Sequence, residues 1–373
     1  MSDVVRFEER PTTGGRRWGL ATLDAPESLN ALSLEMVRAL TPRLRQWEQD
    51  ASVVGVLLRG AGDKALCAGG DLRALYQSLK ESGGEVSDYA RGFFAEEYEL
   101  DHLIHTYAKP FICWGHGIVM GGGMGLMAGA SHRVVTPRSR LAMPEITVGL
   151  YPDVGGSWML GRIPGRIGLF LALTGAPLNA ADALFCGLAD HLLQHQDLPA
   201  LLDALRETAW HQAPDANRHA VSRLLRERAS RELPESNVRR HFDALRELVA
   251  DGDLLEVASR LRALRSEDPW LSTAASTFLK GSPTSAALSF ELARRARHLS
   301  LEDVFRLEYT VSLGCCAHAD FVEGIRALLI SKDRAPRWTP DSLEAVSQAL
   351  IEDHFRPRFT GQHPLASLGR RTP

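Results

Sequence analysis

The sequence predicts an α/β fold, and three features predict it. Val53 to Leu58 is an apolar, β-branched-rich run of the kind buried in a parallel sheet. Phe111 to Trp114 is a shorter run of the same type. Each leads through glycine-rich chain into a further apolar stretch, so strand and helix signals alternate. From residue 198 to about 358 the pattern turns almost wholly helical.

The elements follow in order. Val4, Val5 and Phe7 begin one strand and Trp18 to Leu23 form another, with Thr12 to Arg17 as the turn. Pro26 to Asn30 is a loop. Ser33 caps a helix whose apolar stripe is Leu34, Val37, Leu40, Leu44 and Trp47, and Pro42 should kink or split it. After the Val53 strand comes Arg59 to Leu72, a glycine-rich turn ending in Gly69-Gly70-Asp71, where Asp71 can cap the next helix. Ser82 to Val86 is a loop. Tyr89 to Tyr107 reads as a helix with Phe93, Phe94, Tyr98 and Leu103 inward and Glu96, Glu97 and Glu99 along it, and Lys109-Pro110 ends it. Arg133 to Thr136 and Arg140 to Ala142 are short strands. Gly168 to Thr174 and Ala180 to Cys186 are apolar helices, and Gly187 to Leu192 resembles a strand. Beyond residue 198, Pro214, Pro234, Pro269, Gly281 and Pro283 punctuate the helices. Arg334 to Pro340 is a polar loop, and the tail from Gln362 is expected to be disordered.

Length and composition narrow the function. A chain of 373 residues suits one large domain with an extension, or two domains. A net charge of -3 leaves no basic field for nucleic acid. Among 43 Lys and Arg, only Lys64, Lys80, Lys109, Lys280 and Lys332 are lysines, which reads as genome composition. Cys67, Cys113, Cys186, Cys315 and Cys316 are odd in number and contain no CxxC pair, which fits buried thiols in a reducing compartment. The N-terminus lacks an apolar signal core and no run approaches a membrane span, so a cytoplasmic protein with no membrane partner is expected.

The chain is organised around Met120 to Asp153. Gly121-Gly122-Gly123 and Gly125 precede an apolar segment, Leu126 to Ala130. Glycines there let the backbone approach a ligand, and N–H groups at a helix start suit a developing oxyanion. Gly70 offers a second such N–H. Glu145 and Asp153 lie among Ala142, Met143, Ile146, Val148 and Leu150, surroundings that raise a carboxyl pKa toward the range of acid–base work. Donors and poised carboxylates together point to carbonyl chemistry. Other chemistries lack their patterns: there is no GxSxG elbow, no P-loop and no GxGxxG spacing, and His102 and His105 lack an HExxH context, so no metal site is expected.

The stretches KALCAGGDL, HGIVMGGGMGLMAGASHRVVT and AMPEITVGLYPDVGG resemble the signatures of the crotonase (enoyl-CoA hydratase/isomerase) superfamily. Within it the likeness is greatest to the 3-hydroxyisobutyryl-CoA hydrolases and covers nearly the whole chain. It includes FFAEEYEL at Phe93, SPTS at Ser282, Glu308-Tyr309, DFVEGIRALLISKD from Asp320 and PRWTP from Pro336. The resemblance implies a spiral of ββα turns over residues 1–197, a helical C-terminal region over 198–361 covering that core, and a flexible tail over 362–373. It implies hydrolysis of a short 3-hydroxyacyl-CoA of valine breakdown, with Gly70 and Gly122 as the oxyanion hole, Glu145 and Asp153 as catalytic carboxylates, and Glu97 contacting substrate. Coenzyme A would arrive within the substrate, and no metal or other cofactor is implied. Members commonly form trimers or dimers of trimers, so a homo-oligomer is one expectation, which the C-terminal extension could alter. Hydratases carry a first catalytic glutamate where this chain has Gly125, so hydration should be poor or absent. Two rivals stay open: an enoyl- or dienoyl-CoA isomerase using the same two carboxylates, and a non-catalytic acyl-CoA-binding protein.

Overall fold

A computed structural model of the chain describes residues 4–370. Strands β1 (Val5–Pro11) and β2 (Arg17–Leu23) form an antiparallel hairpin. The helix Leu34–Gln49 follows, with the Ser33 hydroxyl accepting the Met36 N–H at 3.1 Å as its cap. Pro42 does not split this helix. Leu34, Met36, Val37, Leu40, Leu44 and Trp47 are buried along one stripe, and at about 1.5–3 kcal/mol each they outweigh the roughly 3 kcal/mol an interior proline costs.

The chain then repeats one pattern. Strand β3 (Val53–Gly60) and strand β4 (Ala65–Cys67) lead into the helix Leu72–Glu81, capped by the Asp71 carboxylate on the N–H groups of Arg73 and Ala74. The helix Asp88–His105 follows. Strands β5 (Phe111–Gly115) and β6 (Ile118–Met120) lead into the helix Gly122–Ala128. Strands β7 (His132–Val135) and β8 (Arg140–Ala142) lead into the turn Glu145–Thr147 and the helices Gly156–Leu160 and Ile167–Thr174. Strand β9 (Leu178–Asn179), the helix Ala180–Phe185 and strand β10 (His191–Leu192) come next. Successive passes place one strand in each of two sheets, ordered β1-β2-β3-β5-β7-β10 and β4-β6-β8-β9. Apart from β1 with β2 and β8 with β9, the recorded pairings are parallel. This is the expected α/β spiral of ββα turns. The sequence reading passes over β4, β6 and β9, which are too short for an alternating signal.

The chain forms two units that do not divide at residue 197. One comprises residues 1–70, 100–141 and 178–239, the other 71–99, 142–177 and 240–373. The first holds the sheets. Trp18, Leu57, Ile112 and Trp114 form its core together with Leu201, Leu205, Val221 and Leu225. The helices Leu198–Glu207 and Pro214–Glu227, expected in a separate C-terminal region, therefore complete the sheet core.

The second unit is helical. Its core includes Phe94, Tyr98 and Phe305, with ring centroids 5.9 and 5.7 Å apart in sequence. The helices Pro269–Lys280, Pro283–Arg295 and Leu301–Cys316 belong to it. Residues 362–370, expected to be part of a flexible tail, are packed there. Leu365 is fully buried, and the Arg306 guanidinium donates to the backbone oxygens of Leu365 and Leu368 at 3.1 and 2.7 Å. Residues 371–373 lie outside the described residues.

Candidate active site

In the first unit, the parallel pairing of β4 with β6 brings the chain after both strands to one end of the sheet. Gly69 and Gly70 follow β4, and Gly121 and Gly122 follow β6. The two loops touch closely. A Cβ on Gly123 would lie 2.4 Å from the Cys67 carbonyl oxygen, and one on Gly69 would lie 3.6 Å from the Met120 oxygen. Gly121, at φ +49 and ψ -120, makes the turn that opens the helix Gly122–Ala128. As the first helical residue, Gly122 has an N–H with no intrahelical acceptor. Gly70 pairs with Leu32 in an isolated parallel bridge. Both glycines picked from the sequence thus sit in neighbouring backbone loops.

In the second unit, Glu145 opens the turn Glu145–Thr147 and is 6% exposed, and Asp153 is 5% exposed. Glu145 Oε2 is buried and has no protein hydrogen-bond partner. Burial, and then the Asp153 charge, push the Glu145 carboxyl well above the usual carboxylate range. Burial lifts Asp153 to about 6, opposed by the Tyr98 hydroxyl. Two buried carboxyls that feel one another titrate as a pair, so one of them holds a proton near neutrality.

The Asp153 turn is fixed by groups to which the sequence reading gives no role in the site. Val154 (φ +51) and Gly155 (φ +81) are consecutive left-handed residues, an unfavourable state for β-branched Val154. The Glu308 carboxylate compensates by accepting the N–H groups of Gly155 at 2.7 Å and Ser157 at 2.9 Å. The Tyr98 hydroxyl donates to Asp153 Oδ2 at 2.7 Å and lies 2.8 Å from the Ser312 hydroxyl. Ser312 Oγ is also 2.8 Å from the Tyr151 hydroxyl, which donates to the Glu308 backbone oxygen at 2.6 Å. Glu97, the substrate-contact expectation, is 2% exposed one residue before Tyr98; the side chain recorded on Asp153 is Tyr98. The signal for Tyr98 and Ser312 was weak: both look like ordinary inward helix positions.

The turn carrying Glu145 is anchored in the same unit. The Ser282 N–H donates to the Ile146 oxygen at 2.9 Å, and the Ser282 hydroxyl donates to Asp320 at 2.6 Å. Asp320 also accepts the Thr339 N–H at 2.8 Å. Three of the C-terminal segments quoted above, at Ser282, Asp320 and Thr339, therefore converge behind Glu145.

A cavity of about 590 Å³ opens in this unit along Tyr151, Pro152, Ser157, Leu160, Ser289 and Arg297. Neither Glu145 nor Asp153 lines it. Among the described residues, no group of three His, Cys, Asp or Glu side chains is placed to hold a metal ion. All five cysteines are buried. No helix among the described residues is long and apolar enough to cross a membrane.

Comparison with known proteins gives a consistent picture. Residues 18–355 match the family described as enoyl-CoA hydratase/isomerase. A Gallus gallus protein called 3-hydroxyisobutyryl-CoA hydrolase, mitochondrial, is 37% identical over 344 residues, covering 91% of this chain and 86% of its own. The Homo sapiens protein of the same name is 34% identical over 360 residues, covering 95% and 89%. A crystal structure described as a carnitinyl-CoA dehydratase from Mycobacterium thermoresistibile superposes with a TM-score of 0.82 at 38% identity, covering 94% of this chain and 96% of that one. The two vertebrate names place those proteins in mitochondria, so the cytoplasmic expectation draws no support from them.

Proposed function

This chain belongs to the enoyl-CoA hydratase/isomerase family, and from that premise we propose that it hydrolyses a short 3-hydroxyacyl-CoA thioester, with 3-hydroxyisobutyryl-CoA as the substrate to test first. The observation that carries the reading is the buried pair of Glu145 and Asp153, with Glu145 Oε2 unpartnered by protein. The names of the vertebrate relatives support the thioesterase class.

In this reading the N–H groups of Gly70 and Gly122 receive the thioester oxygen. Each such donor is worth roughly 3 kcal/mol to a tetrahedral transition state. Glu145 either attacks the carbonyl carbon, forming an anhydride that water hydrolyses, or deprotonates the attacking water. Asp153 exchanges a proton with the reacting site, and Glu97 is assigned to the hydroxyl of the acyl group. Coenzyme A leaves as the free thiol, and the chemistry calls for no metal or redox group. A homo-oligomer and a reducing, cytoplasm-like compartment belong to the same proposal, the latter on the odd number of buried cysteines without a CxxC pair.

A second reading, addition or loss of water at an enoyl-CoA, draws on the name of the Mycobacterium structure. Gly125 weighs against it, because a residue without a side chain stands where the hydratase pattern has its first glutamate. One assay separates the two. Free thiol released from 3-hydroxyisobutyryl-CoA by the purified chain is followed beside the absorbance of crotonyl-CoA. Thiol release with a steady enoyl signal is expected; no thiol release overturns the hydrolase reading, and loss of the enoyl signal favours the second.

A further inference from the structure

We propose that Tyr98, Ser312 and Tyr151 form a hydroxyl chain whose direction reverses as Asp153 gains or loses a proton, so that these three positioning residues set the pH at which Asp153 titrates. The functional meaning of that titration rests on the reading of Asp153 as half of the catalytic pair; the chain itself stands on geometry.

Four contacts run in series. They link Asp153 Oδ2 to Tyr98 at 2.7 Å, Tyr98 to Ser312 at 2.8 Å, Ser312 to Tyr151 at 2.8 Å and Tyr151 to the Glu308 backbone oxygen at 2.6 Å. All three hydroxyl residues are buried: Tyr98, Tyr151 and Ser312 are 0% exposed. Each hydroxyl owns one proton, and the terminal carbonyl can only accept. With Asp153 ionised, Tyr98 donates to the carboxylate and Ser312 donates to Tyr98. The Tyr151 proton then serves either Ser312 or the carbonyl. Three protons meet four contacts, and one contact goes unmade.

With Asp153 protonated, a fourth proton enters the chain. Asp153 donates to Tyr98, Tyr98 to Ser312, Ser312 to Tyr151 and Tyr151 to the Glu308 oxygen, and every contact is made. The hydroxyls only rotate and none of their O–H bonds breaks. The proton on Asp153 comes from the reacting site and returns to it. A buried acid with no such outlet would leave its own proton, or the next hydroxyl's, without an acceptor, at the cost of an unmade buried hydrogen bond. Ionisable groups acting on Asp153 or acted on by it include, among the described residues, Glu145, the Glu308 carboxyl, and Cys315 and Cys316 on the helix Leu301–Cys316. Glu308 is committed to the Gly155 and Ser157 N–H groups, and burial keeps both cysteines as thiols.

The chain predicts a lower titration in two variants and a smaller change in a third. Ser312→Ala and Tyr151→Phe each remove a contact that only the protonated state uses in full, so Asp153 should titrate lower. The shift should be about 0.7 pH unit, the worth of one neutral hydrogen bond. Tyr98→Phe removes one charge-assisted bond from the ionised state and two neutral bonds from the protonated state, losses of similar size, so Asp153 should shift by less than in the other two variants. Ser312→Thr keeps the hydroxyl and should restore the wild-type value.

The test is carbon-13 NMR of the full chain labelled at aspartate carboxyls, with the Asp153 signal assigned by its loss in Asp153→Asn. Lower values in the Ser312→Ala and Tyr151→Phe variants, with a smaller change in Tyr98→Phe and the wild-type value in Ser312→Thr, support the chain. Higher or unchanged values in the first two variants overturn it, and either of them suffices if the other fails to fold. The pH dependence of thioester hydrolysis is measured on the same variants. Lowered NMR titrations in Ser312→Ala and Tyr151→Phe without any hydrolysis would retain the hydroxyl chain and discard the hydrolase reading; hydrolysis without those shifts would do the reverse.

Discussion

The Glu308 carboxyl group accepts the backbone N–H of Gly155 at 2.7 Å, two residues beyond Asp153. With the Ser157 N–H at 2.9 Å it fills both oxygens. The left-handed Val154 and Gly155 are thereby held by a residue more than 150 positions away in the chain. Glu308→Ala would leave the buried Gly155 N–H and the part-buried Ser157 N–H without an acceptor, at about 1–3 kcal/mol for the buried one and less for the other. A loss of at least about 1 kcal/mol is expected in urea unfolding, together with a fall in kcat. Unchanged stability would show that the turn holds itself.

The same residue gives the stability a pH dependence. Burial raises the Glu308 carboxyl from its ordinary 4.5 to about 8. Between those values the unfolded chain has released a proton that the folded chain keeps, so stability falls as pH rises. The contribution is full below about pH 4.5 and is lost through about pH 8. Glu308→Gln has no such proton. Its urea midpoint should therefore gain on the wild type as pH rises across this window, and a gap that stays constant would refute the assignment.

Gly123 tests the contact between the two glycine loops. A Cβ there would sit 2.4 Å from the Cys67 carbonyl oxygen, and that backbone atom cannot yield as a flexible side chain would. Gly123→Ala should cost about 1–3 kcal/mol through overpacking and should displace the Gly122 N–H. A thermal melt reads the first effect and kcat reads the second. A variant that loses stability while keeping full turnover would remove Gly122 from the oxyanion role.

Leu365 marks where composition misled. The segment from Gln362 is polar and glycine-flanked, which reads as a disordered tail, yet Leu365 is fully buried and two carbonyls nearby bind Arg306. Leu365→Ala should destabilise the chain by about 2–5 kcal/mol, as for a buried leucine. A cost within about 0.5 kcal/mol, usual for surface positions, would restore the flexible-tail view.

What could be read from the sequence depended on the range of the interaction. The strand at Val53, the Ser33 cap and the Asp71 cap are local, and each is where the residues predict it. Gly70 and Gly122 could be picked out because each follows a short apolar run within glycine-rich chain, and the structure places both in adjoining loops. Tyr98, Ser312 and Glu308 were not, because their meaning comes from pairing across more than 50 residues. A tyrosine on an inward helix face looks like core until its partner is known. The limit at residue 197 failed for a related reason: the helices after it bury Leu201, Leu205, Val221 and Leu225 against sheet residues far upstream, and periodicity reports a buried face without saying what it meets.

Glu145 carries the sharpest prediction. Its Oε2 is buried with no protein partner, so the position is poorly explained as a structural carboxylate. Glu145→Gln keeps the shape and removes both the nucleophile and the base. Turnover of 3-hydroxyisobutyryl-CoA should fall by at least about 10²-fold, the low end for loss of a general base, while KM changes little. Stability should change little, because burial and the Asp153 charge already favour the neutral acid, and the amide is neutral too. Burst kinetics then divide the two chemical routes: a stoichiometric burst of thiol in the wild type indicates an acyl-enzyme at Glu145, and its absence points to direct attack by water or to slow acylation. Wild-type turnover in the Glu145→Gln variant would move the chemistry off this residue altogether.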